Sequence, residues 1–201
     1  MRPWLPGLPV LGAAVVLVSG PSAASSAPPP QLGKTANAAP ISGTTLYRVP
    51  GSQTFVMLTE ETQIPLGTEL DTTHGRVLLT FATGYGKTEH AQWWQGRFFI
   101  GQTKGTKPVG TQSLSGPLAC SKRSFTAQAA SPKRSLWGKG KGRFRTKGKN
   151  ASGTVRGTWW LTQDSCAGTL IKVKRGMVDV FDFKKHKHVL VHAGHSYFAK
   201  R

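Results

Sequence analysis

Several groups of residues in this chain have types and spacing that bear on chemistry, and each also has a structural reading. Glu60, Glu61, Glu69 and Asp71 are the clustered acids. Glycosidic cleavage needs two carboxyl groups facing one bond across roughly 5–9 Å. Adjacent Glu60 and Glu61 point to opposite faces of any strand, and Asp71 before Thr72-Thr73 reads as a turn residue. Gly84-Tyr85-Gly86-Lys87-Thr88 resembles the end of a phosphate-binding loop, but Phe81 stands where the motif needs its first glycine. No helix follows to offer its N-terminus to a phosphate, so the segment is expected to be a hairpin turn. Gly138 to Gly142 likewise lacks the strand–helix–strand setting of a dinucleotide fingerprint.

His186, His188, His192 and His195 lie close together near the C-terminus. His186 and His188 would share a strand face, but only Asp182 is near enough in sequence to help complete a metal site. A solvated basic strand edge is the expected reading, and neither a metal nor a cofactor is expected. No nucleophile, base and orienting group can be assembled from the pattern, so we expect no catalytic residues and no enzyme. Asn150-Ala151-Ser152 matches a glycosylation acceptor, which matters only in a host that glycosylates there.

The aromatic pairs Trp93-Trp94 and Trp159-Trp160 carry more information. Successive residues of a strand face opposite ways, so each pair should place one ring inside and one outside. An outward ring, with Trp94 and Trp159 as candidates, can stack on a sugar while nearby Lys and Arg bind acidic groups. The competing reading buries both rings in a two-sheet core.

Charge points the same way. The 201 residues hold 27 Lys and Arg against 8 Asp and Glu, a net charge of +19. Such a surface favours polyanionic neighbours: nucleic acid, acidic wall polymers or anionic lipid. Between Ser121 and Asn150 there is no acidic residue. Lys139, Lys141, Arg143, Arg145, Lys147 and Lys149, interleaved with glycine, are expected to form one anion-binding patch.

The elements that must position these residues read as short strands. Ile171 and Val173 alternate with Lys172 and Lys174, and Val178 and Val180 with Met177 and Asp179. Period-2 alternation marks strands with one wet face, and Arg175-Gly176 between them suggests a hairpin. Further strands are expected at 46–49, 55–58, 76–82 and 189–191. Hairpins are expected between 88–94 and 96–101 around Gln95-Gly96, and between 142–146 and 154–161. No stretch beyond the leader keeps a helical period. The fold is therefore expected to be all-β, about ten short strands in two stacked antiparallel sheets or a β-roll.

Residues 1–26 read as a cleaved secretory signal peptide: Arg2, an apolar run from Leu8 to Val18, then small residues around Ala24 to Ser26. Residues 27–43, with three consecutive prolines, read as a disordered linker. The β-domain is expected over 44–201, with a basic insertion around 121–150 whose first half, Ser121 to Ser135, is expected to be a mobile loop. Cys120 and Cys166, in an exported chain, are expected to form a disulfide contributing roughly 4 kcal/mol. With two cysteines in all, a thiolate zinc site is excluded. Location is expected to be extracytoplasmic, secreted or at the cell surface.

A family resemblance rests on the order of turn motifs. Val155-Arg156-Gly157-Thr158, then Gly168-Thr169, Val173, Gly176, Val178, Val180 and a late Ala193-Gly194 follow a pattern similar to the second half of FecR-type extracytoplasmic domains. The segment Pro65-Leu66-Gly67-Thr68 through Arg76-Val77-Leu78-Leu79 resembles the first half, so the likeness runs from Thr44 to Phe198 around the basic insertion. It implies a β-domain with a sensing or scaffold role. In transmembrane regulators such domains relay a signal to a sigma factor. Here neither a cytoplasmic segment nor a span matches, so only the exported domain is carried over. The expected function is thus non-enzymatic binding of an envelope partner, either an anionic wall polymer or an envelope protein. A secreted nucleic-acid binder using the Gly/Lys/Arg stretch is the alternative, and export argues against it.

Overall fold

A computed structural model describes residues 27–120 and 132–201. The expected signal peptide, and residues 121–131 of the expected loop, lie outside them. The described chain is all-β, with thirteen strands and no helix. The strands are β1 (Thr35–Arg48), β2 (Val56–Met57), β3 (Thr62–Pro65), β4 (Glu69–Gly84), β5 (Lys87–Trp94), β6 (Arg97–Gln102) and β7 (Gly110–Leu114). They continue with β8 (Lys133–Lys147), β9 (Ala151–Ser165), β10 (Gly168–Arg175), β11 (Met177–Asp182), β12 (Lys187–His192) and β13 (Ser196–Lys200).

The strands form one hydrogen-bonded network that curls on itself. β4 pairs with β5 and β6, β5 with β8, β8 with β7, and β7 with β6. That circuit closes a five-stranded barrel in which β7 and β8 run parallel. Closure removes the free edges an open sheet would leave. β1 lies along the outer edge of β4, and β9 along β8. β9 then carries β10 on its C-terminal half and β11 on its N-terminal half, with β13 and β12 outside them.

The alternation read from the sequence sets the faces correctly. Ile171, Val173, Val178 and Val180 are fully buried, and Lys172, Lys174, Met177 and Asp179 are exposed. The expected hairpin between these strands does not form. Arg175-Gly176, with Gly176 at φ 77°, turns the chain from one partner region of β9 to the next. Nor do β5 and β6 pair with each other. Gln95, at φ 61°, and Gly96 pass the chain across the barrel, so β5 joins β8 and β6 joins β7. The β8–β9 hairpin does form, with Phe144 opposite Val155.

Two segment assignments change. Residues 27–43 are not a linker throughout, because β1 begins at Thr35 and packs Ala36 and Ala38 fully buried against β4. The proline run before it is tied down too: Asn37 Nδ2 donates to the Pro28 carbonyl, and Gln63 Nε2 to those of Pro28 and Pro29. The second half of the basic segment is no insertion either. Residues 133–147 are β8, which pairs with β5, β7 and β9 and is central to the network.

The barrel core explains why β8 is rich in glycine. Val77, Trp93, Gly138, Trp160 and Val173 are in register across five strands, all facing inward. Trp93 and Trp160 meet edge to face with centroids 5.2 Å apart, and Trp93 also packs on Phe98 and Phe144. A Cβ on Gly138 would lie 2.6 Å from the Trp93 ring and 2.8 Å from that of Trp160, so only glycine fits between them. Trp160 Nε1 donates to Thr146 Oγ1, which satisfies the buried indole. Farther along, Gly142 at φ 132° forms a bulge in β8, where a side chain would also meet Glu89.

Three buried carboxylates hold the outer elements. Glu69 pairs with Arg48 and Arg97 and accepts from Ser115. Asp164 accepts from Arg134, from Thr169 Oγ1 and from the Lys149 amide. Asp182 accepts from the amides of Lys184 and Lys185 and from the Tyr197 hydroxyl. Beside the barrel, Cys120 and Cys166 form a disulfide with Cα atoms 5.5 Å apart. Among the described residues, no helix is long and apolar enough to cross a membrane.

Candidate functional site

Alternation also decides what the outer face of the barrel carries. Because Trp93 and Trp160 point inward, Trp94 and Trp159 point outward, half-buried. Trp137 joins them, since its neighbours Leu136 and Gly138 both face the core. Trp94 and Trp137 are direct cross-strand partners with nearly parallel rings, centroids 6.1 Å apart. Trp159 lies 6.3 Å from Trp94 and 6.1 Å from Trp137. Cations cap this cluster. The Arg76 guanidinium lies 4.2 Å from the Trp94 centroid, and the ammoniums of Lys174 and Lys139 lie 4.6 and 5.8 Å from that of Trp159.

A trough of about 520 Å³ runs beside the cluster. It is lined by Lys139, Lys141, Trp159, Arg175, His90 and Gln92, with Gly140 and Gly157 among them. No carboxylate lines it. Strand register makes the arrangement regular. Leu78, Gln92, Lys139, Trp159 and Arg175 form one transverse row from β4 to β10. Arg76, Trp94, Trp137, Leu161 and Lys172 form the row beside it. Thr80, His90 and Lys141 form a third on the other side. With strands ~4.8 Å apart, a five-strand row spans about 19 Å.

The six cations expected as one patch are divided by this geometry. Lys139 and Lys141 line the trough. Arg143 is taken up by Glu89, whose carboxylate also accepts from its backbone amide. Arg145 Nε donates to Thr154, and the Lys147 ammonium lies 5.9 Å from the Phe183 centroid. The Lys149 amide is held by Asp164, while its side chain is exposed. From Lys139 to Lys147 the strand covers roughly 26 Å, too far for one compact site. Arg76, Lys174 and Arg175, contributed by β4 and β10, belong to the trough and its rim, and no local motif marked them.

The other constellations are occupied structurally. Glu60 and Glu61 are exposed, Glu69 is inside its two-arginine ion pair, and Asp71 contacts Arg97 and caps the Thr73 amide. Tyr85-Gly86, both at positive φ, close the β4–β5 hairpin. His186 lies in the turn before β12 rather than on a strand face with His188. His188 Nδ1 instead meets Asp179 at 2.9 Å and its ring packs on Phe181. Among the described residues, no group of three or more His, Cys, Asp or Glu side chains converges on a point.

Burial pushes the Asp182 carboxyl up. The Lys185 amide, the Tyr197 hydroxyl and the Lys184 amide together outweigh it and hold the group below the ordinary carboxylate value. The same hydrogen bond raises the Tyr197 phenol. Both groups tie β11 to β13, and neither lines the trough. Compared with known proteins, the chain matches no family model, no curated protein and no solved structure.

Proposed function

We propose that this chain is an exported, non-enzymatic binding domain that holds an anionic polymer of the cell envelope on the outer face of its barrel. The carrying observation is the trough: Lys139, Lys141 and Arg175 around Trp159, with no carboxylate in its lining. A surface of that kind attracts polyanions from a distance and stacks rings at contact. The Cys120–Cys166 disulfide supports an oxidising, extracytoplasmic setting. The scaffold or sensing role implied by the FecR-type resemblance is compatible with this reading and is part of the proposal.

The test is retention on isolated cell walls. Replacing Lys139, Lys141, Lys174 and Arg175 with Ser removes four exposed cations and leaves the core untouched. At about 0.2–1 kcal/mol for each exposed charge contact, affinity should fall roughly 4- to 700-fold. Unchanged retention would remove the trough from the function. Tighter binding of single-stranded DNA than of wall polymer, with a steep salt dependence, would favour the nucleic-acid reading instead.

A further inference from the structure

The transverse row through the trough carries a narrower assignment, which rests on the polyanion reading above. Lys139, Trp159 and Arg175 are consecutive in that row, on three adjacent strands. An indole is thus flanked by a cation on either side, with ~4.8 Å between neighbouring strands. Lys174, at the register shift between Val173 and Arg175, places a further ammonium 4.6 Å from the centre of the same ring. Beside the ring there is open space. Gly157 has no side chain, and a Cβ there would meet nothing within 4 Å, whereas a Cβ on Gly140 would point inward at buried Ala91. Gln92 and His90 add polar groups to the lining.

We infer that the trough takes a pyranose ring bearing its own carboxylate, a uronate unit of an acidic polysaccharide. The C–H face of the sugar lies on Trp159, and the open space at Gly157 accommodates the rest of the ring. The sugar takes the place over the indole that the Lys174 ammonium holds in the free chain, and its carboxylate, attached directly to a ring carbon, pairs with the displaced Lys174 and with Lys139 and Arg175 beside it. Hydroxyls face Gln92 and His90. Other polyanions match less of this. A polyol phosphate has charge but no ring face, and an acidic peptide carries carboxylates on flexible stems without a ring. In a nucleic acid the sugar separates the stacking base from its phosphate, so the charge does not sit at the edge of the stacked ring.

Calorimetric titration of the secreted chain at fixed salt tests this with four probes: polygalacturonate, polyglutamate, neutral dextran and oligo-dT. Polygalacturonate should bind at least about tenfold more tightly than polyglutamate or oligo-dT, and dextran weakest. Trp159→Ala should weaken polygalacturonate binding at least about tenfold and polyglutamate binding less than about twofold, since stacked rings contribute on that scale. Lys139→Ser with Arg175→Ser, both at exposed positions, should also lose about tenfold. Lys187→Ser with Lys200→Ser, an equal charge loss outside the trough, should lose less than about threefold. A melting curve for each variant shows that it is folded. If Trp159→Ala does not fold, the two double variants and the ranking of the probes decide the matter alone. Equal affinity for polygalacturonate and polyglutamate, with the loss confined to the Lys139 and Arg175 double variant, would overturn the uronate assignment and leave the polyanion reading standing, whereas equal losses in both double variants would remove the trough from both readings. Tightest binding to oligo-dT would overturn it in favour of a base-stacking site. Binding of none of the probes would remove both readings.

Discussion

Gly138→Ala asks whether the barrel is built around the Trp93–Trp160 contact. The added methyl would stand 2.6 Å from Trp93 Cζ3 and 2.8 Å from Trp160 Cη2 and Cζ2. Ordinary carbon contacts begin near 3.5 Å, so the two rings together must yield more than an ångström. Neither moves freely. Both are fully buried, Trp93 is wedged against Phe98 and Phe144, and Trp160 is anchored through Nε1 to Thr146. Overpacking of a tight core costs about 1–3 kcal/mol, and two rigid neighbours place this substitution at the upper end. For a domain of this size, about 3 kcal/mol lowers Tm by roughly 6–12 °C. Near-ultraviolet circular dichroism, dominated by the coupled indoles, should lose intensity in parallel. Gly157→Ala is the control, with open space but φ +66°, so it should cost only the left-handed backbone penalty of about 1–2 kcal/mol. A Gly138→Ala variant melting within 2 °C of the wild type, with an unchanged aromatic spectrum, would refute this account of the core.

Cys120→Ser should lower Tm under oxidising conditions, the chain-entropy limit being about 4 kcal/mol for the loop to Cys166, and equal melting of reduced and oxidised protein would count against that contribution. Arg134→Ala leaves the buried Asp164 without its guanidinium and should destabilise by about 3 kcal/mol in urea denaturation; a loss under 1 kcal/mol would show that Thr169 and the Lys149 amide suffice. Because the folded Asp182 is held below its unfolded value, its stabilising contribution is present above about pH 4 and is lost as pH falls through the lowered folded value. Tyr197→Phe removes one of the bonds responsible and should raise the Asp182 titration midpoint in carboxyl NMR, with less stability lost on acidification; an unmoved midpoint would contradict the assignment.

What the sequence revealed of this fold was local, and what it hid was non-local. Alternation in Lys172 to Val180 placed each side chain on its correct face, and the split of Trp93 from Trp94 and of Trp159 from Trp160 followed from the same rule. Partner choice was not legible. Arg175-Gly176 and Gln95-Gly96 have hairpin composition, yet each carries the chain to a different partner, because closing the barrel demands it. Composition also misled in two places. Ala36 and Ala38 read as linker because they are small, and smallness lets β1 lie close against β4. The Gly-Lys alternation of β8 read as a solvated insertion, but its glycines make room inside the barrel while its lysines face out. Trp137 could have been found by extending the alternation from Leu136. Arg76 and Arg175 could not, since only register across five strands brings them to the same face.

The central claim is that an acidic polymer is held on this one face of the barrel. The most direct measurement is amide NMR of the isotopically labelled chain during titration with an acidic wall polysaccharide. Shift changes should concentrate at 76–80, 90–94, 137–141, 157–159 and 172–175, and should vanish in the variant lacking Lys139, Lys141, Lys174 and Arg175. Changes centred instead on Arg145, Lys147 and Lys149, or spread evenly over every lysine, would contradict it.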